Sequence, residues 1–178
     1  MLKKILVAIT TTVMCSYSSA INLDGTVFAQ VGAEKNIDPV LLYAVALTES
    51  AYVPDPSVAG ESPYPWTLRT PKKAIYLPSE DVAKRQLEKL LSYTQSIDIG
   101  LMQINLRWHK SRVKNPEDLL DPLTNVRVGA DILLENFSRY PNDLIEAIGR
   151  YHSSDLTKKQ VYGLTVYNIY TGIKNNAR

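Results

Sequence analysis

The stretch DPVLLYAVALTES, residues 38–50, decides how this chain is read. From Pro39 to Ala46 it is almost purely apolar, and it opens with Asp38 as an N-cap and Pro39 at the first helical position. Such a run predicts a buried helix, because residues three, four and seven apart share one helical face. On that face Leu42, Val45 and Ala46 are joined by Glu49. An ionised carboxylate is costly to bury, so Glu49 is paired, protonated or put to chemical use.

Outward from this helix the pattern stays helical. A short helix precedes it around residues 24–36. Ser79 caps EDVAKRQLEKLLSYT, whose Ala83, Leu87, Leu90 and Leu91 form one apolar face. Downstream, LDPLTNVRVGADILLENFSRY repeats the Asp-Pro start, with Val126, Ala130, Leu133 and Phe137 facing inward. Two more helices are read around NDLIEAIGRYHS and KKQVYGLTVYNIYTGIK. A single β excursion interrupts them, where PWTLR and AIYLP flank TPKK as a hairpin. The expected fold is mostly α, a compact helical domain with a small β-hairpin insertion.

The first twenty residues stand apart. MLKKILVAITTTVMCSYSSA has two lysines, an apolar core from Ile5 to Cys15, and small residues Ser18 and Ala20 before a cut. This is the pattern of a secretory signal peptide, with a retained membrane anchor as the alternative. The expected division is a signal over 1–20 and one domain over 21–178, exported to the periplasm or beyond. A cut after Ala20 removes the only cysteine, so no disulfide is expected. It also removes Lys3 and Lys4, taking the basic residues from 20 to 18 against 18 acids. A mature chain so close to neutral argues against nucleic acid as a partner. Contact with membrane is expected only through an uncleaved signal.

Several chemistries lack their residues. His109 and His152 are far apart and have no cysteine companions, which gives a metal site no support. No phosphate loop, dinucleotide fingerprint or nucleophile elbow is present, and no cofactor is expected. What remains is SIDIGLMQIN, residues 96–105. Gly100 permits a turn or a close approach. Leu101 and Ile104 can anchor inward, while Met102, Gln103 and Asn105 can offer a soft contact and amides to sugar hydroxyls and acetamido groups. Read alone, the stretch is first a tight turn leading into a helix.

In order, the chain carries Glu49-Ser50, then Gly100 to Gln103, then Asp121-Pro122 with Asn125 and Gly129, then Ala147 to Tyr151. This series resembles the lysozyme-like soluble lytic transglycosylase domain, which cleaves bacterial peptidoglycan. The resemblance spans roughly residues 25–170. YPWTL, SIDIGLMQIN with its following Trp108-His109, and AIGRYHS resemble a subgroup with a hairpin insertion, associated with conjugation or secretion machinery. The resemblance implies that Glu49 is the sole catalytic carboxylate, that Gly100, Met102 and Gln103 line the substrate, and that Tyr151 is the signature tyrosine. Ser50, Asn105, His152 and Trp66 complete the expected substrate contacts. Two features depart from the family: His152-Ser153-Ser154 follows the tyrosine where Asn-Ala-Gly is usual, and the two motifs are spaced more widely.

Glycosidic cleavage needs an acid for the leaving oxygen and a means to stabilise the sugar cation. An apolar face would keep Glu49 protonated near neutrality. A second carboxylate about 5–9 Å away would permit a hydrolase; Asp98 is the local candidate, with a turn-fixing role as the alternative. Without one, the resemblance implies that the substrate's N-acetyl group stabilises the cation and that Glu49 then draws the C6 hydroxyl into a 1,6-anhydro ring. His152 is either a substrate contact or a packed imidazole. Trp66 is expected at the glycan cleft, and Trp108 rather in the core. The partners implied are peptidoglycan strands and, through the subgroup, a secretion or conjugation apparatus. A muramidase and a non-catalytic glycan-binding scaffold remain as alternatives.

Overall fold

The structure, a computed structural model, describes residues 21–53 and 61–176. The expected signal over 1–20 and part of the proline-rich stretch lie outside the described residues. Seven α-helices are present among those described: α1 (Val27–Lys35), α2 (Pro39–Ser50), α3 (Glu80–Leu91), α4 (Leu106–His109), α5 (Pro122–Arg139), α6 (Leu144–His152) and α7 (Leu156–Asn176). Helix α2 lies at the centre, packed against α1, α5 and α7. Its Leu42, Ala44, Val45 and Ala46 are fully enclosed; burying a leucine of this kind contributes about 1.5–3 kcal/mol.

Local rules account for the helix starts. The carboxylates of Asp38, Asp121 and Asp143 accept from the amides of Val40, Thr124 and Glu146, and the Ser79 hydroxyl accepts from Val82. Each such cap contributes roughly 1 kcal/mol. Helix α1 ends where Asn36 takes a left-handed conformation and donates back to the Gly32 carbonyl.

The β region is larger than a single hairpin. Strands β1 (Ala51–Tyr52) and β2 (Ser62–Pro63) pair just after α2. The expected hairpin is β3 (Thr67–Arg69) with β4 (Ala74–Tyr76), and it is continued by β5 (Asp98–Ile99) and β6 (Ile104–Asn105) in the antiparallel order β4-β3-β5-β6. SIDIGLMQIN is thus a second hairpin, not merely a turn into a helix. Its register places Leu68, Ile99 and Ile104 opposite one another, and all three are buried. The neighbouring row is Arg69, Asp98 and Asn105. Because successive strand residues face opposite sides, the first row builds core and the second faces away from it.

Candidate active site

The second row forms one wall of a cavity of about 250 Å³. Glu49, from the last turn of α2, lines the same cavity, as do Tyr151 and His152 at the end of α6. Trp108 and His109 of α4 close another side. The chain thereby brings residues separated by about a hundred positions around one carboxyl group.

Glu49 is held by a residue that sequence reasoning passed over. The Tyr162 hydroxyl, from α7, donates to Glu49 Oε1 at 2.7 Å. The second carboxyl oxygen has no protein partner among the described residues. Burial drives the Glu49 pKa up to about 7, the Tyr162 hydrogen bond and Arg69 oppose the rise, and the nearby charge of Asp98 adds to it. With a phenol donating to Oε1, the acid proton belongs on the other oxygen. Burial also pushes the Tyr162 and Tyr151 phenols well above the ordinary tyrosine value, so both stay donors. Tyrosine is abundant here, 11 residues, and only the docking of α7 on α2 singles out Tyr162.

Asp98 faces the same cavity. Its Oδ1 accepts from Asn105 Nδ2 at 2.6 Å, across the β5–β6 pair. Burial raises its pKa, while the Asn105 hydrogen bond, Arg69 and His152 oppose the rise. The bond of its side chain runs to a side chain on the facing strand rather than to a backbone amide of the turn, and it ties the two strands that flank the turn. Asn105 bridges, donating to Asp98 and capping the Arg107 amide with Oδ1.

The other expected contacts divide. Gln103 borders the cavity but is largely enclosed, and its amide is engaged. Nε2 donates to the carbonyls of Gly100 and Thr67, and Oε1 accepts from Arg69 Nε. These bonds hold Gln103 in a left-handed backbone conformation, φ 44°, which is unusual for a non-glycine residue. Arg69 also donates to the Glu49 carbonyl at 3.3 Å, tying the sheet to the end of α2. His152 lines the cavity and stacks on Tyr162, centroids 4.7 Å apart. Its imidazole pKa is lowered chiefly by desolvation, with Lys158 and Arg69 adding and Asp98 opposing.

Ser50, Gly100 and Met102 do not reach the cavity. The Ser50 hydroxyl is buried within reach of the Ala46 and Leu101 carbonyls and accepts from the Tyr64 amide. Gly100 has φ 79°, and a Cβ there would come within 2.3 Å of Asn125 Nδ2. Asn125 accepts from the Met102 amide and donates to the carbonyls of Ile99 and Leu119, clamping the turn. The Met102 side chain is fully enclosed and lies where a Cβ on Gly129 would clash. These residues set the turn that carries the cavity wall; they are not its surface. Tyr151 lines the cavity with its ring, while its hydroxyl donates to the Met102 carbonyl at 2.7 Å and so supports the same turn.

The two tryptophans exchange their expected places. Trp108 is 72% exposed at the cavity edge, with the Arg107 guanidinium 5.2 Å from its ring centre. Trp66 is part-buried against the core, edge-on to Tyr64, and its buried Nε1 has no partner among the described residues. The hairpin does border the cavity, but through Arg69. Among the described residues, no group of three His, Cys, Asp or Glu is placed to hold a metal.

Comparison with known proteins bears on the chain as a whole. The chain is 29% identical over 154 residues to a "Peptidoglycan-binding-like protein" of Escherichia coli O157:H7, covering 81% of this chain and 75% of the relative. No solved structure matches. The Transglycosylase SLT domain family matches residues 26–165. That span holds Glu49, Asp98, Tyr151 and Tyr162 together with the helices and strands that carry them, and the chain belongs to this family of peptidoglycan lytic transglycosylases.

Proposed function

We propose that the protein cleaves the β-1,4 bond between N-acetylmuramic acid and N-acetylglucosamine with Glu49 as its acid and base, leaving a 1,6-anhydro end. The observation that carries this is the state of Glu49: a carboxyl with a pKa of about 7, held by Tyr162 and open on its second oxygen. Protonated, it donates to the leaving oxygen. The cation that forms is stabilised by the sugar's own N-acetyl group, and the Glu49 carboxylate then takes the proton of the C6 hydroxyl as that oxygen closes the ring. Intramolecular attack is favoured, since aligned groups reach effective molarities of about 10⁵ M or more against roughly 55 M for water. Gln103, Asn105, His152, Tyr151 and Trp108 would meet the glycan, the last as a stacking plane.

In the same reading, residues 1–20 are a signal removed near Ala20, and the enzyme works outside the cytoplasm on the wall. The YPWTL stretch supports the further reading that the enzyme opens the wall locally for a secretion or conjugation apparatus. The relative's printed name supports peptidoglycan as the substrate. A muramidase is the second reading, and Asp98 in the same cavity is the observation that favours it.

Mass analysis of muropeptides released from purified sacculi tests both. Anhydro products, each lighter by one water than a hydrolysis product, are expected from the wild type, and none from a folded Glu49→Gln variant. Reducing-end products that vanish on Asp98→Asn would make the enzyme a two-carboxylate muramidase. A Glu49→Gln variant that cleaves as well as the wild type would remove Glu49 from catalysis.

A further inference from the structure

His109 lines the cavity from the end of α4, and no step of the cleavage uses it. Beyond α4 the chain tightens into a single 3-10 turn, Lys110–Arg112. Side chains three residues apart lie over one another in such a turn, which brings Arg112 back to His109. Arg112 Nε donates to His109 Nδ1 at 3.1 Å. The guanidinium is itself held, its two terminal nitrogens donating to the two carboxyl oxygens of Glu135 on α5, each at 2.8 Å. A fork of this kind fixes the guanidinium plane, so the Nε–H is aimed at the imidazole. Glu135, Arg112 and His109 form a line of three that ends in the cavity.

An imidazole nitrogen that accepts from an N–H carries no proton. With Nδ1 accepting, the neutral ring holds its proton on Nε2. A second proton would set two N–H groups against each other beside a guanidinium charge. Burial lowers the His109 pKa, Arg112 lowers it further, and Glu135 opposes them. The Nε2–H meets no acceptor among the described residues, and the adjoining cavity residues Trp108 and Ile132 offer ring face and aliphatic surface instead.

We propose that His109 binds the glycan, its Nε2–H donating to an oxygen of the sugar seated against Trp108, with Arg112 as the positioning residue that fixes the ring and its proton. The proposal rests on a peptidoglycan strand as the substrate. Hydroxyl and acetamido oxygens of the sugars both accept from a neutral N–H. Neutrality suits the site as well. A cationic imidazole in the same cavity would oppose the sugar cation formed beside Glu49 and would favour loss of the Glu49 proton.

Two amide substitutions separate contact from support. In His109→Asn the amide reaches only the position of Nδ1, where it keeps the bond with Arg112 and loses the one to the sugar. In His109→Gln the longer amide reaches the position of Nε2 and keeps a donor in the cavity. Binding isotherms with bare N-acetylglucosamine oligomers should find His109→Asn weaker than the wild type by about three- to tenfold, the range of one neutral hydrogen bond. His109→Gln should bind within about twofold of the wild type, since its donor is retained. During cleavage of peptidoglycan strands the His109→Asn loss should appear in KM rather than kcat, with melting little changed. Nitrogen NMR should find the wild-type His109 proton on Nε2, and Arg112→Met should raise the His109 pKa.

Wild-type affinity in His109→Asn, with a lower melting temperature in His109→Gln, would make His109 a support for Arg112 and overturn the contact. A proton on Nδ1 would overturn it too. Both results leave strand cleavage by the wild type intact. A wild type that neither binds the oligomers nor cleaves strands would overturn the glycan reading and this contact together.

Discussion

The cavity has a helical floor and a sheet wall, and each presents one carboxylate. Glu49 on the floor ends an apolar helix and receives one hydrogen bond, from a phenol. Asp98 on the wall sits in a polar row between Arg69 and Asn105, near His152. Burial raises the pKa of both; Asn105, Arg69 and His152 oppose the rise at Asp98, and Tyr162 and Arg69 oppose it at Glu49, where the charge of Asp98 adds to it. The two acids of one cavity thus sit in unlike surroundings, and Glu49, with its pKa of about 7, is the one poised to hold and release a proton near neutrality. The difference comes from secondary structure: a helix end can be lined with apolar side chains, while a strand row inherits whatever its paired neighbours bear.

The largest effect that would sharpen the contrast is on stability. Glu49 titrates near 7 in the folded chain and near 4.5 when unfolded. Below 4.5 both states hold the proton, and Glu49→Gln should melt with the wild type. As pH rises from 4.5 to about 7 only the unfolded state releases it, so the wild type loses stability while the variant does not. Above 7 the variant should be more stable by up to about 3 kcal/mol. Melting curves at pH 4.5 and 8 measure this. Parallel curves at both pH values would mean that the floor does not desolvate Glu49.

Next in size is the division between core and surface on the wall side. Trp66→Ala should lower stability by about 2 kcal/mol, since a part-buried ring loses its packing, and should leave bare-glycan binding unchanged. Trp108→Ala should do the reverse, weakening glycan binding with little change in melting. Binding isotherms with bare glycan oligomers, run beside thermal melts, decide it. A Trp108→Ala variant that binds normally would remove the stacking plane from the rim.

The sequence disclosed whatever depends on neighbours a few residues apart. Asp38, Ser79 and Asp121 are N-caps as read, and the face carrying Leu42, Val45 and Ala46 is buried. It was less informative about side-chain direction inside SIDIGLMQIN. Met102 and Asn105 occupy one motif, yet Met102 seats on Gly129 and Asn105 faces the cavity. Only the turn at Gly100 and the register with β3 decide which way each side chain points. Tyr162 was out of reach for another reason: it is 113 residues from Glu49, and nothing local distinguishes it from the other tyrosines of α7. The tryptophans were misjudged because aromatic rings serve core and sugar equally well, and neighbouring residues do not separate the two uses.

The smallest effect is the most discriminating, because two substitutions should move one pKa in opposite directions. Glu49 must carry its proton to act as acid, so activity should fall as pH rises through about 7. The Tyr162 hydrogen bond lowers that pKa, and the charge of Asp98 raises it. Tyr162→Phe should therefore move the alkaline limb of kcat/KM upward, and Asp98→Asn should move it downward. Each shift should be under about one pH unit, corresponding to less than about 1.4 kcal/mol. Asp98→Asn should keep the anhydro product, since a neighbouring charge adjusts the acid without activating water. Neither substitution should alter melting at pH 4.5 by more than about 1–2 kcal/mol, the range of one lost hydrogen bond. Limbs that move together, or not at all, would show that floor and wall do not act on the same proton. The contrast between the two carboxylates would then be one of position alone.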